Sequence, residues 1–170
     1  MGLKVVRTWG NLDAGVKTDK VSDKGYTVFT DNVDGSGEKE GVYYQYFDAD
    51  LGRPVVNEGE DGLQKLDYAL YKAEQEGIKL LITFTNNWEA FGGMGQYVQW
   101  AKLAGENVSG HDDFYTNETI KGWYKDYIKT LLNHENVYTG VKYKDDPTIF
   151  SWELANEPRC ESDAGCENNT

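Results

Sequence analysis

Residues 61–84 read DGLQKLDYALYKAEQEGIKLLITF, and they decide the fold because one amphipathic segment runs directly into one continuous apolar segment. Leu63, Leu66, Leu70 and Ala73 recur on one helical face. Asp61 is the expected N-cap, with Gln64 three residues on, and Gly77 is the expected stop. From Ile78 the run IKLLITF lacks the polar alternation of a half-exposed strand and suits a parallel strand covered on both faces. KVVRTWG from Lys4 and TIFSWELA from Thr148 are two more short apolar runs of the buried-strand kind. Helical periodicity lies between the second and third runs, in MGQYVQWAKLAG and in YTNETIKGWYKDYIKTLLNHE. In the latter, Ile120, Trp123, Tyr127, Ile128 and Leu131 share a face. The order strand, helix, strand, helices, strand predicts βαβ units in an α/β fold. Residues 11–60 are rich in Asp, Gly and Asn and read as an elaborate surface connection. Within it YTVFT and GVYYQYF are expected to pair as minor strands around the turn DGSGEKEG.

The chain has 170 residues, a length suited to one domain, and no internal repeat or domain boundary is visible. Seventeen basic residues stand against 29 acidic ones, a formal charge of -12 that disfavours phosphate backbones and anionic lipid surfaces. No window approaches the about 18 uninterrupted apolar residues of a membrane span, and MGLKVVRTWG lacks the apolar core of a signal peptide. Cys160 and Cys166 enclose five residues in a polar loop. A short disulfide and a pair of free thiols both fit that spacing, whereas His111 and His134 are badly placed to complete a zinc site. Sequons at Asn107, Asn117 and Asn168 lean toward an oxidising, extracellular setting. Neither a phosphate-binding glycine loop nor a nucleophilic triad is present, since the GSG at 35–37 sits in a polar turn. Neither a metal nor a cofactor is expected. Asp112 and Asp113 read as a solvated face or helix-cap material.

The three strand ends carry RTWGN, TNNWE and ANEPR. In α/β barrels the residues that do chemistry gather at the carboxyl ends of several strands. Arg7, Trp9, Asn87, Trp88, Asn156 and Glu157 are therefore expected to converge. A glutamate poorly hydrated at an apolar strand end can donate a proton near neutral pH. Asparagine can bind a sugar hydroxyl, tryptophan offers a flat apolar face, and arginine can hold a second carboxylate ionised. These groups meet part of what glycoside hydrolysis needs, namely two carboxyl groups beside a sugar.

WELANEPRC, VVRTWG, FTNNWEAFGGM and HDDFYTN, in this order and spacing, resemble the glycoside hydrolase family 5 endo-β-1,4-mannanases of fungal type. The resemblance implies a partial (β/α)8 TIM barrel comprising roughly strands 2 to 4, with residues 1–170 an incomplete, N-terminal part of a catalytic domain. It implies retaining hydrolysis of internal β-1,4 bonds in mannan, glucomannan or galactomannan by a secreted enzyme that is a monomer when complete. It makes Glu157 the acid/base, Asn156 the ligand of the sugar 2-hydroxyl, and Arg7 the support of the nucleophile. It makes Trp9 and Trp88 cleft walls and Arg159 a leaving-group contact, and it pairs Cys160 with Cys166. Such barrels need about 250 residues. The family's nucleophile lies at the seventh strand's end, so no residue here takes that role; Glu89, Glu153 and Glu161 are not expected to replace it. Alone, this chain is expected to fold poorly and hydrolyse mannan negligibly. The competing readings are another family 5 β-glycanase such as an endo-glucanase, a non-catalytic carbohydrate-binding fragment, and a small α/β interaction domain.

Overall fold

The computed structural model describes residues 2–35, 39, 41–163 and 167. Three strands form a parallel sheet in the order β1 (Val5–Trp9), β6 (Lys79–Thr83), β7 (Ile149–Glu153). The helix expected from the opening stretch is α1 (Leu63–Gln75), and its predicted face of Leu63, Leu66, Leu70 and Ala73 is buried. Its start differs from expectation. Gly62 is the N-cap residue without a side-chain cap, because Asp61 instead accepts from Asn57 Nδ2 at 2.9 Å and Gln64 reaches the Glu58 carbonyl. Gly77 ends the helix in the left-handed region at φ 64°, where a side chain would be strained.

α1 lies on β6, whose Leu80 and Ile82 are buried, and α4 (Glu118–Asn133) adds Tyr127 and Leu131 to the same core. Leu70 has no exposed surface, so truncation to alanine removes a side chain worth about 2–5 kcal/mol. A second core joins α2 (Gly93–Leu103), α3 (Asp113–Thr116) and the start of α4 through Tyr97, Trp100, Phe114 and Ile120. Asn117 caps α4 by accepting from Ile120 N at 3.0 Å. β7 is not covered on both faces as its sequence suggested, since Phe150 is 64% exposed on it.

Residues 13–56 depart most from the sequence reading. They build a second, four-stranded sheet in the order β3 (Thr27–Thr30), β2 (Asp13–Val21), β4 (Gln45–Asp48), β5 (Arg53–Val56). YTVFT and the QYF of GVYYQYF do not pair with each other; both pair with β2, one antiparallel and one parallel. The turn between them lies partly outside the described residues. β2 prevails as partner because Ala14 packs with Phe29 and Tyr43 in a small apolar cluster. This sheet is a brace rather than a surface connection. Asp13 N donates to Phe91 O at 2.9 Å, Asp34 Oδ2 accepts from Phe91 N at 2.6 Å, and Trp100 Nε1 donates to Ala14 O at 3.0 Å. The loop following β6 is thereby tied down on the side away from β7.

Candidate active site

The carboxyl ends of β1, β6 and β7 stand side by side, with Trp9, Thr83 and Glu153 at one level of the register. Beyond β6 the chain makes a tight turn at 86–93. Asn86 Oδ1 accepts from Trp88 N, Asn86 Nδ2 donates to Ala90 O, and Met94 N donates to Asn86 O. Gly93 closes the turn at φ 57°, where a Cβ would run into the carbonyls of Asn86 and Trp88. Asn87 N then donates to Asn156 O at 3.0 Å, and Asn156 N to Thr85 O at 2.9 Å, so the loops after β6 and β7 are bonded backbone to backbone.

The structure brings the expected residues together as two neighbouring groups. In the first, Arg7 donates to Asn156 Oδ1 at 2.8 Å and to Glu153 Oε2 at 2.8 Å, with its guanidinium 5.4 Å from the Trp9 ring centre. Asn156 Nδ2 in turn donates to Asn86 Oδ1 at 2.9 Å, which fixes the orientation of its amide. In the second, Trp88 Nε1 donates to Glu157 Oε2 at 2.8 Å, and the Arg159 guanidinium lies 3.7 Å from the same carboxylate and 5.1 Å from the Trp88 ring. Trp9 packs on Phe91 at 5.3 Å. Trp88 is 47% exposed, so much of its indole stays open to solvent.

Three features escaped the sequence reading. The sequence marks Glu153 only as a strand residue, yet its carboxylate is the partner of Arg7. The alternation that puts Arg7 and Trp9 on one face of β1 was the available signal. Glu157 is itself in the left-handed region at φ 47°, an unusual conformation for a side-chain-bearing residue. Its side chain is 55% exposed, so the apolar surroundings expected around it are not supplied by this chain. Finally, Asp112 and Asp113 are not cap material for α3. Asp113 Oδ2 folds back onto Ser109 N and Gly110 N, and Asp112 reaches the loop after β7.

Cys160 belongs to that loop, whereas Cys166 and the sequon at Asn168 lie outside the described residues. Among the described residues no group of His, Cys, Asp and Glu could hold a metal ion, and no helix is long and apolar enough to cross a membrane.

A parallel β/α sheet with an amide, a carboxylate, an arginine and open indoles at its carboxyl edge has the plan of an α/β-barrel glycan site. Comparison with known proteins makes that class specific. Residues 55–169 match the profile described as GH family 5 beta-mannosidase-like. Mannan endo-1,4-beta-mannosidase 3 of Arabidopsis thaliana is 42% identical over 161 residues, which are 95% of this chain and 31% of that protein. The crystal structure of the endo-1,4-beta-mannanase from Rhizomucor miehei aligns with a TM-score of 0.72 at 41% identity, over 96% of this chain and 38% of the other. The endo-beta-1,4-mannanase from Thermotoga petrophila aligns with a TM-score of 0.74 at 41% identity, over 99% and 31%. The chain belongs to glycoside hydrolase family 5. Its β1, β6 and β7 with their helices are a three-strand segment of a TIM barrel, and it spans about a third of the length of the relatives it matches.

Proposed function

We propose that this chain carries the acid/base side of an endo-β-1,4-mannanase, with Glu157 protonating the leaving oxygen of a retaining hydrolysis. The observation that carries the reading is the Trp88–Glu157–Arg159 group: an indole N–H at 2.8 Å and a guanidinium at 3.7 Å converge on one carboxylate oxygen beside an open aromatic face. A pyranose lying on Trp88 would present its glycosidic oxygen to Glu157, with Arg159 on the leaving-group side. Asn156, its amide held by Arg7 and Asn86, would bind the 2-hydroxyl, and Trp9 would wall the cleft. Similarity at about 40% identity to proteins named as mannan hydrolases supports mannan as the polysaccharide partner.

A retaining glycosidase also needs a second carboxylate about 5–5.5 Å from the first. Glu153, the other strand-end carboxylate described here, is engaged by Arg7. The nucleophile is accordingly assigned to a part of the enzyme beyond residues 1–170, which form one incomplete catalytic domain. Secretion, a Cys160–Cys166 disulfide, a monomeric complete enzyme, and the absence of nucleic-acid and membrane partners belong to the same reading. The test is an assay of the longest protein translated from the source transcript, on mannohexaose and cellohexaose side by side. Internal cleavage of mannohexaose, reduced about 10²–10⁴-fold by Glu157→Gln, is expected. Faster cleavage of cellohexaose would replace mannanase by endo-glucanase. Glycan binding unaffected by Glu157→Gln, with no cleavage, would leave a binding fragment.

A further inference from the structure

We propose that His111 and Asp112 are positioning residues for Glu157 and Arg159, forming a clamp that locks the loop after β7 onto the loop after β6. The role rests on reading Glu157 as the acid/base. Neither residue is at a strand end; both lie between α2 and α3, about 50 positions from the loop they hold.

Asp112 Oδ2 accepts three bonds from that loop: Glu161 N at 2.7 Å, Ser162 N at 2.5 Å and Ser162 Oγ at 2.7 Å. Its other oxygen, Oδ1, is 3.1 Å from His111 Nδ1. Burial alone would raise its pKa, but the bonds from Ser162, His111 and Glu161 pull it down to about 2, so it is an ionised acceptor across the neutral range. His111 Nε2 lies 3.0 Å from the carbonyl of Asn87. Each ring nitrogen thus faces an acceptor oxygen, so the imidazole bridges Asp112 and the Asn87 carbonyl. Asn87 completes the circuit, because its Oδ1 accepts from Arg159 N at 3.0 Å while its own N–H donates to Asn156 O.

The segment so enclosed is the one that needs holding. Glu157 stands at φ 47°, a strained conformation kept only where the surroundings over-determine it. Pro158 follows and disfavours the right-handed helical alternative for Glu157. Upstream, Asn156 is bonded to Thr85 and Asn87. Downstream, 159–162 is held by the Asn87 bond to Arg159 N, by the Arg159 guanidinium over the Trp88 ring and by the three bonds to Asp112. Release of the clamp lets 157–162 relax and draws Glu157 away from the Trp88 indole.

The experiment reads the indole N–H resonances of Trp88 and Trp100 in the 15N-labelled longest protein translated from the source transcript, together with mannohexaose titrations. Trp100 Nε1 is bonded to Ala14 O in the core and reports folding alone. In Asp112→Ala and His111→Phe the Trp88 resonance is expected to move to the position of a water-exposed indole while Trp100 stays. Mannohexaose binding should weaken about 10-fold, the size of one hydrogen bond to a charged group. Asp112→Asn, which keeps an acceptor oxygen, should fall between these and the parent chain. A Trp88 resonance unmoved in every folded variant overturns the clamp. Loss of the Trp100 resonance in all three variants overturns it equally, since the pair would then serve the fold alone. If the Trp88 resonance moves as expected but the parent protein neither binds nor cleaves mannohexaose, the clamp stands and the mannan reading fails.

Discussion

Asp13 is fully buried, accepting from Gln45 Nε2 at 2.8 Å and from Asn11 Nδ2 at 3.4 Å. Burial raises its pKa to about 7, against the lowering effect of those bonds. A carboxyl whose folded pKa lies above its unfolded value of about 3.9 binds more protons in the native state. Stability is therefore lost as pH rises from about 4 to about 7, by about 4 kcal/mol in total, and the loss persists above pH 7. Asp13→Asn should match the parent near pH 4 and melt higher at pH 8, as thermal unfolding at the two values would show. The sequons at Asn107 and Asn117 differ in exposure and bonding. Asn107 is exposed, whereas Asn117 uses both ends of its amide, accepting from Ile120 N and donating to Glu106 Oε2 at 3.2 Å. In a secreting host, Asn107→Gln should remove a glycan mass and Asn117→Gln should leave the intact mass of the glycoforms unchanged, apart from the substitution itself.

Helices α1 and α4 are joined through a buried ionic group. His134, just past the end of α4, has Nε2 3.0 Å from Asp67 Oδ1 on α1 and Nδ1 3.0 Å from Glu58 Oε2. Asp67 has no exposed surface and also accepts from Tyr143 Oη at 2.6 Å. Burial would lower the His134 pKa, but Asp67 and Glu58 outweigh it and the net direction is upward. A raised histidine contributes stability fully below its unfolded value of about 6.5, and that stability is lost as pH rises through the folded value above it. His134→Ala leaves Asp67 buried without a counter-charge and should cost about 3–5 kcal/mol. Urea unfolding at pH 5.5 and pH 8.5 checks both statements, since the variant should lose the pH dependence that the pair creates. The sequence shows α1 and α4 clearly by their apolar stripes. It does not show this junction, because Asp67 and His134 are 67 positions apart and look like ordinary polar-face residues.

For the molecule as a whole, the parallel sheet ends at β1 and β7, whose outer edges have no strand partner among the described residues. Around them Leu3 is 62%, Phe150 64% and Leu154 68% exposed. An apolar groove of about 430 Å³, lined in part by Met94, Phe114, Tyr124 and Leu154, opens beside β7. Unpaired edges with apolar flanks favour association between chains. The purified 170-residue chain is expected to sediment as a concentration-dependent mixture, and Phe150→Lys with Leu154→Lys should shift it toward monomer without changing its circular dichroism. The same chain should release no detectable reducing ends from mannan, because one carboxylic acid cannot complete a retaining double displacement. Release at the rate of a complete enzyme would refute that.

Three parallel strands, the helices between them and the polar theme of their ends were legible in the sequence, because burying a strand or a helix face imposes a periodicity that local composition records. The family resemblance in NEPRC, RTWG and NNWEAFGG was legible for the same reason of contiguity. The pairing of the second sheet was not, since the choice of partner depends on Ala14, Phe29 and Tyr43 meeting in space. The left-handed Glu157, the pairing of Arg7 with Glu153 and the reach of Asp112 to Ser162 were likewise hidden. Each is a contact or a backbone state set by groups distant in the chain. Only tertiary structure brings such groups within hydrogen-bond range.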